Sequence, residues 1–238
     1  MKAIILAGGK GARLKPYTTV FPKPLVPIGS RPILDIIIRQ LARDGFRDIT
    51  LTVGPLAELI RAYFHDIETR LPDVHLTYLE ENEPLGTAGP VAMVKNPGPD
   101  PFLVMNGDVL TTLPFAKMMD YHRGHSGVLT IGMYTKKTAI DFGILETDAA
   151  GRVTGYAEKP EKVFPISMGV YIYSPAVLKY IPANERLDFP DLVRRLLASG
   201  EPVMSYPFQD FWLDIGNPDD YEKANEAFEQ RKDEFPPD

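Results

Sequence analysis

An apolar run of five residues, Ala3 to Ala7, meets glycine at once in the stretch KAIILAGGKGARLKPYTTVFPKPLVPIG, Lys2 to Gly29. A run so short, bounded by glycine, predicts a buried parallel strand rather than a helix. Gly8, Gly9 and Gly11 let backbone N–H groups approach a ligand with no Cβ in the way. Arg13, Lys15 and Lys23 follow on the same loop, and cationic side chains there suit a ligand that carries phosphates. The bland alternative is a glycine turn needed only for its geometry.

Prolines 16, 22, 24 and 27 keep helix away until Arg31. An apolar-faced helix is then predicted over Pro32–Ala42, closed by Gly45. Asp48–Val53 is a second strand, Ala57–Phe64 a helix, and Val74–Leu79 a third strand. Glu80–Gly89 is polar and rich in turn formers, with a short helix expected over Val91–Val94. Phe102–Met105 is a fully apolar fourth strand running into Asn106-Gly107-Asp108. Phe115–Arg123 fits a helix and Val128–Tyr134 a strand. Asp141–Glu146 and Arg152–Glu158 pair around the turn at Asp148–Gly151. Ile166–Tyr173 is a strand, Leu187–Leu197 a helix, Val203–Pro207 and Phe211–Asp214 short extended pieces, and Asp219–Lys232 the closing helix. A frayed polar tail is expected over Glu234–Asp238. Strands alternating with helices on short links predict an α/β fold with a mostly parallel sheet. Its ligand crevice lies at the carboxyl ends of the strands, so residues after the first, third and fourth strands are the first candidates.

The chain of 238 residues, 44% hydrophobic, can bury a sizeable core as one domain, and no linker or repeat divides it. A formal charge of -6 argues against a general nucleic-acid binder but not against a small anionic substrate. With no cysteine, disulfides, thiolate chemistry and Cys-ligated zinc are excluded. The first apolar run is too short for a signal peptide and no stretch approaches a membrane span. A cytoplasmic location without membrane partners is the expectation.

The glycine loop matches neither the dinucleotide fingerprint nor the phosphate loop that ends in Gly-Lys-Ser/Thr. Asp108 ends an apolar strand at the crevice edge, where it can hold Mg2+ or a polar substrate, or cap a helix. Asp214, after Phe211-Trp212-Leu213, is a second carboxylate that could share the ion, although spacing alone does not bring the two together. Two carboxylates suffice for Mg2+ when substrate phosphates and water complete its shell. Lys159 in Glu158-Lys159-Pro160 could meet a phosphate and Glu158 a hydroxyl; a surface turn is the alternative. His65, His75, His122 and His125 are scattered and are expected at the surface or at helix ends. Trp212 and the tyrosines are expected in core or pocket wall, and Lys136-Lys137 in a solvated turn.

Leu6-Ala7-Gly8-Gly9, Gly11-x-Arg13-Leu14 and Phe21-Pro22-Lys23-Pro24-Leu25 together resemble the signature of the sugar-1-phosphate nucleotidyltransferases. The resemblance continues through Leu85-Gly86-Thr87-Ala88-Gly89, Asn106-Gly107-Asp108, Glu158-Lys159-Pro160 and Trp212-Leu213-Asp214-Ile215-Gly216. These markers span nearly the whole chain in family order, and are most similar to the catalytic portion of mannose-1-phosphate guanylyltransferases. The resemblance implies a Rossmann-like three-layer sandwich decorated by a smaller β-rich, sugar-binding portion. Residues 1–110 would mainly bind nucleotide and 111–238 mainly sugar phosphate. Leu6, Ala7, Gly8, Gly9 and Gly11 would embrace the nucleotide, with Gly86 and Thr87 beside it and Arg13 and Lys23 on its phosphates. Gly143, Glu158, Lys159, Ser167 and Gly169 would surround the sugar phosphate, and Asp108 and Asp214 would hold the catalytic Mg2+. Where many relatives carry Asn-Ala-Gly, this chain has Ser167-Met168-Gly169, which leaves the sugar open. No β-helical extension follows the closing helix, which argues against a second acetyltransferase activity; a homodimer stays open.

The implied reaction is in-line attack by a sugar 1-phosphate oxygen on the α-phosphorus of a nucleoside triphosphate, releasing pyrophosphate. Sugar phosphates have a second pKa of about 6, so no strong base is required; positioning and charge stabilisation by the metal, Arg13 and Lys23 do the work. Family register sets Glu81 near the base edge, where an acceptor-only carboxylate could take the two adjacent donors of guanine. That favours GTP over UTP, dTTP or CTP, and mannose 1-phosphate leads over glucose, heptose and amino-sugar 1-phosphates. A phosphocholine cytidylyltransferase and a non-catalytic nucleotide-sugar-binding subunit are the alternatives. A dinucleotide-dependent oxidoreductase fails on the loop pattern.

Overall fold

The computed structural model describes residues 1–9, 11–95 and 97–237. Its strands are β1 (Lys2–Ala7), β2 (Pro27–Ile28), β3 (Arg31–Pro32), β4 (Asp48–Val53), β5 (His75–Glu80), β6 (Phe102–Asn106), β7 (Val109–Thr111), β8 (Leu129–Ala139), β9 (Ile144–Thr147), β10 (Val153–Ala157), β11 (Glu161–Tyr173), β12 (Val203–Phe208) and β13 (Trp212–Asp214). The α-helices are α1 (Ile33–Arg43), α2 (Ala57–Tyr63), α3 (Ile67–Arg70), α4 (Phe115–Arg123), α5 (Phe189–Ala198) and α6 (Pro218–Gln230). Seven strands form the central sheet in the order β12-β8-β11-β6-β1-β4-β5. All run the same way except β11, which pairs antiparallel with β6 and β8. This is the mostly parallel α/β sheet expected, with smaller two-stranded sheets beside it.

The apolar runs are continuous because both faces of the sheet are covered. In β1, Ala3, Ile5 and Ala7 enter one core with α1, α2, α4 and α6, whereas Ile4 enters a second core with α5. Likewise Leu103 and Met105 of β6 face the first core, and Phe102 and Val104 the second. Helix α1 is buried at Ile33, Leu34, Ile36, Ile37, Ile38 and Leu41. Gly45 behind it sits at φ +86°, a conformation that costs other residues free energy.

Strands β8 and β11 are longer than their hydrophobic patterns predict. Beyond the sheet they continue as a two-stranded arm whose residues 136–139 and 161–165 are exposed. Lys136-Lys137 is solvated, but on this arm rather than in a turn. The pairing from Ser167 to Tyr171 on β11 spans only Met133 to Ile131 on β8, so two extra residues bulge out and Gly169 adopts φ +74°. The β9–β10 hairpin, with Tyr156 opposite Leu145, crowns the arm.

Three expectations need correction. Between Val91 and Val94 the chain forms a 3-10 turn, Gly89–Met93, because Pro90 and the Ala88 and Gly89 bonds to Leu187 O pin it locally. The tail does not fray as far as Pro237: Phe235 is buried, and Arg31 and Arg39 donate to the Pro236 and Pro237 carbonyls. Asp238 lies outside the described residues. His122 ends a helix as expected but is buried, hydrogen-bonded to Thr130 and Ser174 (2.8 and 2.9 Å); His65 and His75 are exposed. Among the described residues no helix is long and apolar enough to cross a membrane.

Candidate active site

The carboxyl ends of β1, β4, β5 and β6 converge at one edge of the sheet, and the glycine loop leaves from its middle. Ala7 pairs with Val53, and the next residues, Gly8 and Gly54, touch backbone to backbone. A Cβ on Gly54 would stand 2.6 Å from Gly8 O, and one on Gly8 only 2.4 Å from Glu81 Oε1. Leu6 accepts from Gly107 N–H (3.0 Å), which ties the first strand to the Asn106-Gly107-Asp108 turn. A Cβ on Gly9 would meet nothing within 4 Å, so its backbone is open to solvent on that side. Gly11 takes φ +60° and its carbonyl accepts from Thr18 Oγ1 at 2.6 Å. Lys10, between them, is outside the described residues.

Asp108 and Asp214, far apart in sequence, become neighbours because β7 and β13 pair antiparallel, Asp214 opposite Val109. Ile215 N–H donates to Asp108 O at 3.0 Å and locks that register. Lys23 Nζ donates to Asp108 Oδ2, reached from a 3-10 turn stiffened by Pro22 and Pro24. Asp108 Oδ1 is buried and has no hydrogen-bond partner among the described residues. Asp214 keeps an exposed face, but partial desolvation raises its carboxyl above the ordinary range, the charge of Asp108 adds to this, and Lys23 and Arg13 oppose it. Arg13 lies alongside Gly216, whose Cβ would stand 3.5 Å from an Arg13 terminal nitrogen. The cluster therefore sets Asp108 and Asp214 against Lys23 and Arg13, with Asp220 nearby and Asp108 Oδ1 buried and unpartnered among the described residues. An unpartnered buried oxygen on a hard donor set fits a cation such as Mg2+. Among the described residues no three His, Asp or Glu side chains converge for a metal, so the remaining ligands would have to come from substrate and water.

Glu81 follows β5 at the same edge. Its Oε2 accepts from Leu85 N–H at 3.0 Å, and burial raises its carboxyl above the usual value against that bond. Gly8, Gly54, Leu56, Glu81 and Asn82 line a cleft of about 530 Å³. Gly86 and Thr87 are engaged elsewhere: Gly86 at φ +80° abuts Leu187 and Asp188, and Thr87 Oγ1 accepts from Phe189 N–H (2.8 Å) at the start of α5.

The bulge in β11 carries Ser167 and Gly169 to the end of β6. A Cβ on Gly169 would stand 2.7 Å from Asn106 Nδ2, and Ser167 Oγ lies 3.3 Å from Tyr171 OH. Tyr171, which the sequence did not single out, lies beside them in the core. Its phenol is pushed up to about 12, by burial first, with the charges of Asp108 and Asp214 adding to the shift. The available signal was position, two residues beyond Gly169 on the same predicted strand. Gly143, Glu158 and Lys159 stand on the arm instead. Gly143 packs on Tyr156, whose hydroxyl donates to Glu158, and Lys159 is exposed at φ +43°. The Gly143 and Glu158 contacts with Tyr156 stay within the arm.

Residues 2–231 match the model of the family described as "Nucleotidyl transferase". The chain belongs to that family. Among curated nucleotidyl transferases it is 33% identical over 232 residues to "Mannose-1-phosphate guanylyltransferase 1" of Arabidopsis thaliana, covering 93% of this chain and 63% of that protein. It is 35% identical to "Mannose-1-phosphate guanylyltransferase catalytic subunit beta" of Danio rerio, covering 93% and 62%. The chain thus spans under two thirds of these relatives' length. Among solved structures, a putative glucose-1-phosphate thymidylyltransferase from Bacillus anthracis shares the fold, with TM-score 0.76 at 23% identity, covering 95% and 94%. HddC from Yersinia pseudotuberculosis superposes with TM-score 0.72 at 29% identity over 95% and 99% of the two chains, and its complex with GMP-PN with TM-score 0.69 at 27%.

Proposed function

We propose that this nucleotidyl transferase moves a nucleotidyl group from a nucleoside triphosphate to a sugar 1-phosphate, with GTP and mannose 1-phosphate as its substrates. The observation that carries the reading is the Lys23–Asp108–Asp214 cluster at the sheet edge, with Asp108 Oδ1 buried and unpartnered among the described residues. The guanine preference rests on Glu81, fixed by Leu85 N–H so that a carboxylate faces the cleft beside Gly8. The names of the curated relatives and the guanine nucleotide in the HddC complex point the same way.

Asp108 and Asp214 would hold Mg2+, which when bound supplies charge that stabilises the α-phosphate and the departing pyrophosphate. Gly8, Gly9 and Gly11 present backbone to the triphosphate, and Arg13 and Lys23 neutralise its oxygens. Lys23 carries three donors, so its ammonium can reach the triphosphate while keeping Asp108 Oδ2, and its flexible four-carbon stem adjusts without backbone movement. On the other side Ser167, Gly169 and Tyr171 shape the floor for the sugar, and Glu158 and Lys159 approach its phosphate from the arm. A sugar 1-phosphate oxygen attacks the α-phosphorus while pyrophosphate leaves opposite to it. The nucleophile is already ionised near neutral pH, so no residue is assigned as general base.

A pyrophosphate-release screen of the common nucleoside triphosphates against sugar 1-phosphates tests this. Release with GTP and mannose 1-phosphate above all other pairs is expected. Equal efficiency with GTP and UTP defeats the guanine assignment, and no release with any pair defeats the reaction.

A further inference from the structure

Leu56 combines two costs that a turn residue normally avoids. It sits at φ +70°, ψ +21° in the left-handed region, where a γ-branched side chain is strained and Gly or Asn is at home. It also leaves 44% of its surface exposed. Neither cost is needed to make the turn. Gly54 and Pro55 already turn the chain out of β4, and the backbone bonds Ala57 N–H to Gly54 O (3.2 Å) and Leu59 N–H to Leu56 O (3.0 Å) require no side chain at position 56.

The residue lines the 530 Å³ cleft that contains Gly8, Gly54 and Glu81. Two walls of that cleft are bare backbone: a Cβ on Gly54 would press on Gly8 O at 2.6 Å, and one on Gly8 would press on Glu81 Oε1 at 2.4 Å. A third presents the half-buried carboxylate of Glu81. Glu81 offers an acceptor to the edge of a flat heteroaromatic group, and the glycines set no side chain of their own into the cleft. An apolar side chain covering one face of that plane would recover the exposed area. Strain kept at a ligand-lining position is a recurrent mark of function.

We infer that Leu56 is the apolar wall on which the nucleobase rests, a specificity-determining residue that secures the base while Glu81 reads its edge. The inference rests on the nucleotide reading above and adds a residue outside the glycine signature and the carboxylate pair.

The test compares the parent protein, Leu56→Asn and Leu56→Met by equilibrium titration with GTP and with tripolyphosphate, alongside thermal melts. Asn accepts φ +70° but offers no apolar face. Leu56→Asn should melt at or above the parent temperature, bind GTP about tenfold more weakly, and bind tripolyphosphate as the parent does. Leu56→Met should stay within about threefold of the parent for GTP. Unchanged GTP affinity in Leu56→Asn overturns the inference. So does a fall in melting temperature or a failure to fold, which would make the role structural, and so does an equal loss for tripolyphosphate, which would place the contact off the base. If the parent prefers another nucleotide, that nucleotide replaces GTP and only the guanine assignment falls. If the parent binds none, the nucleotide reading itself falls.

Discussion

Acid should weaken this protein through one buried histidine remote from the carboxylate pair. His122 closes a ring of hydrogen bonds among α4, β8 and the end of β11. Gly127 N–H donates to His125 Nδ1 (2.9 Å), so neutral His125 carries its proton on Nε2 and donates to Thr130 Oγ1 (3.1 Å). The Thr130 hydroxyl then donates to His122 Nδ1 (2.8 Å), and His122 Nε2–H donates to Ser174 Oγ (2.9 Å), which reaches Gly127 O at 3.4 Å. Every polar atom in the ring is used with both imidazoles neutral. A proton added at His122 Nδ1 would face a hydroxyl already donating to it. Burial lowers the His122 pKa from 6.5 to about 4, and the neighbouring His125 and Arg123 push the same way. The folded state therefore refuses a proton that the unfolded chain accepts below pH 6.5. Stability is intact above that pH and is lost as pH falls through the folded value. The loss is about 2 kcal/mol by pH 5 and about 3 kcal/mol by pH 4, or roughly 4–8 °C in melting temperature at pH 5 for a chain of this size. Other groups titrate too, so the assay is the difference between denaturant midpoints of the parent and His122→Gln, followed from pH 7.5 to pH 5. The variant should be less stable at pH 7.5 by about 1 kcal/mol for the impaired ring, and that gap should close or reverse by pH 5. A gap that stays constant with pH refutes the reasoning.

Two further outcomes follow from close contacts in the site. Gly169→Ala should cost about 1–3 kcal/mol in stability, since the residue would be strained at φ +74° and its Cβ would press on Asn106 Nδ2; a denaturant midpoint equal to the parent's contradicts this. Glu81→Gln exchanges one of two carboxylate acceptors for a donor, which should weaken GTP by about 10–100-fold relative to UTP, as an unpaired buried donor does. An unaltered GTP to UTP ratio in binding removes Glu81 from base reading.

Elements whose information is local were legible in the residues. Asp48–Val53 and Phe115–Arg123 match their predicted bounds, because an apolar pattern bounded by turn formers decides them without help from the fold. The parallel sheet followed from the same alternation. The arm was not legible at full length, because residues 136–139 and 161–165 are exposed on both faces and carry no burial pattern; their pairing comes only from backbone partners across the hairpin. For the candidate site, the chemistry of Lys23, Asp108 and Asp214 was visible in residue type and position after a strand. Their meeting depends on the pairing of β7 with β13, a long-range fact that no local pattern encodes. Leu56 and Tyr171 escaped notice for the opposite reason: leucine and tyrosine are ordinary core residues until a positive φ or a neighbouring carboxylate pair marks them. The buried His122 escaped because its partners Thr130 and Ser174 come from separate strands' ends.

The central claim is that the carboxylate pair serves the transfer step rather than the fold or nucleotide capture. It is tested most directly by pyrophosphate release from GTP and mannose 1-phosphate at saturating Mg2+, measured for the parent and for Asp108→Asn, with nucleotide affinity determined in parallel. The account predicts release by the parent, turnover lowered at least about a hundredfold in Asp108→Asn, and nucleotide affinity changed far less. Turnover within a few-fold of the parent would contradict it.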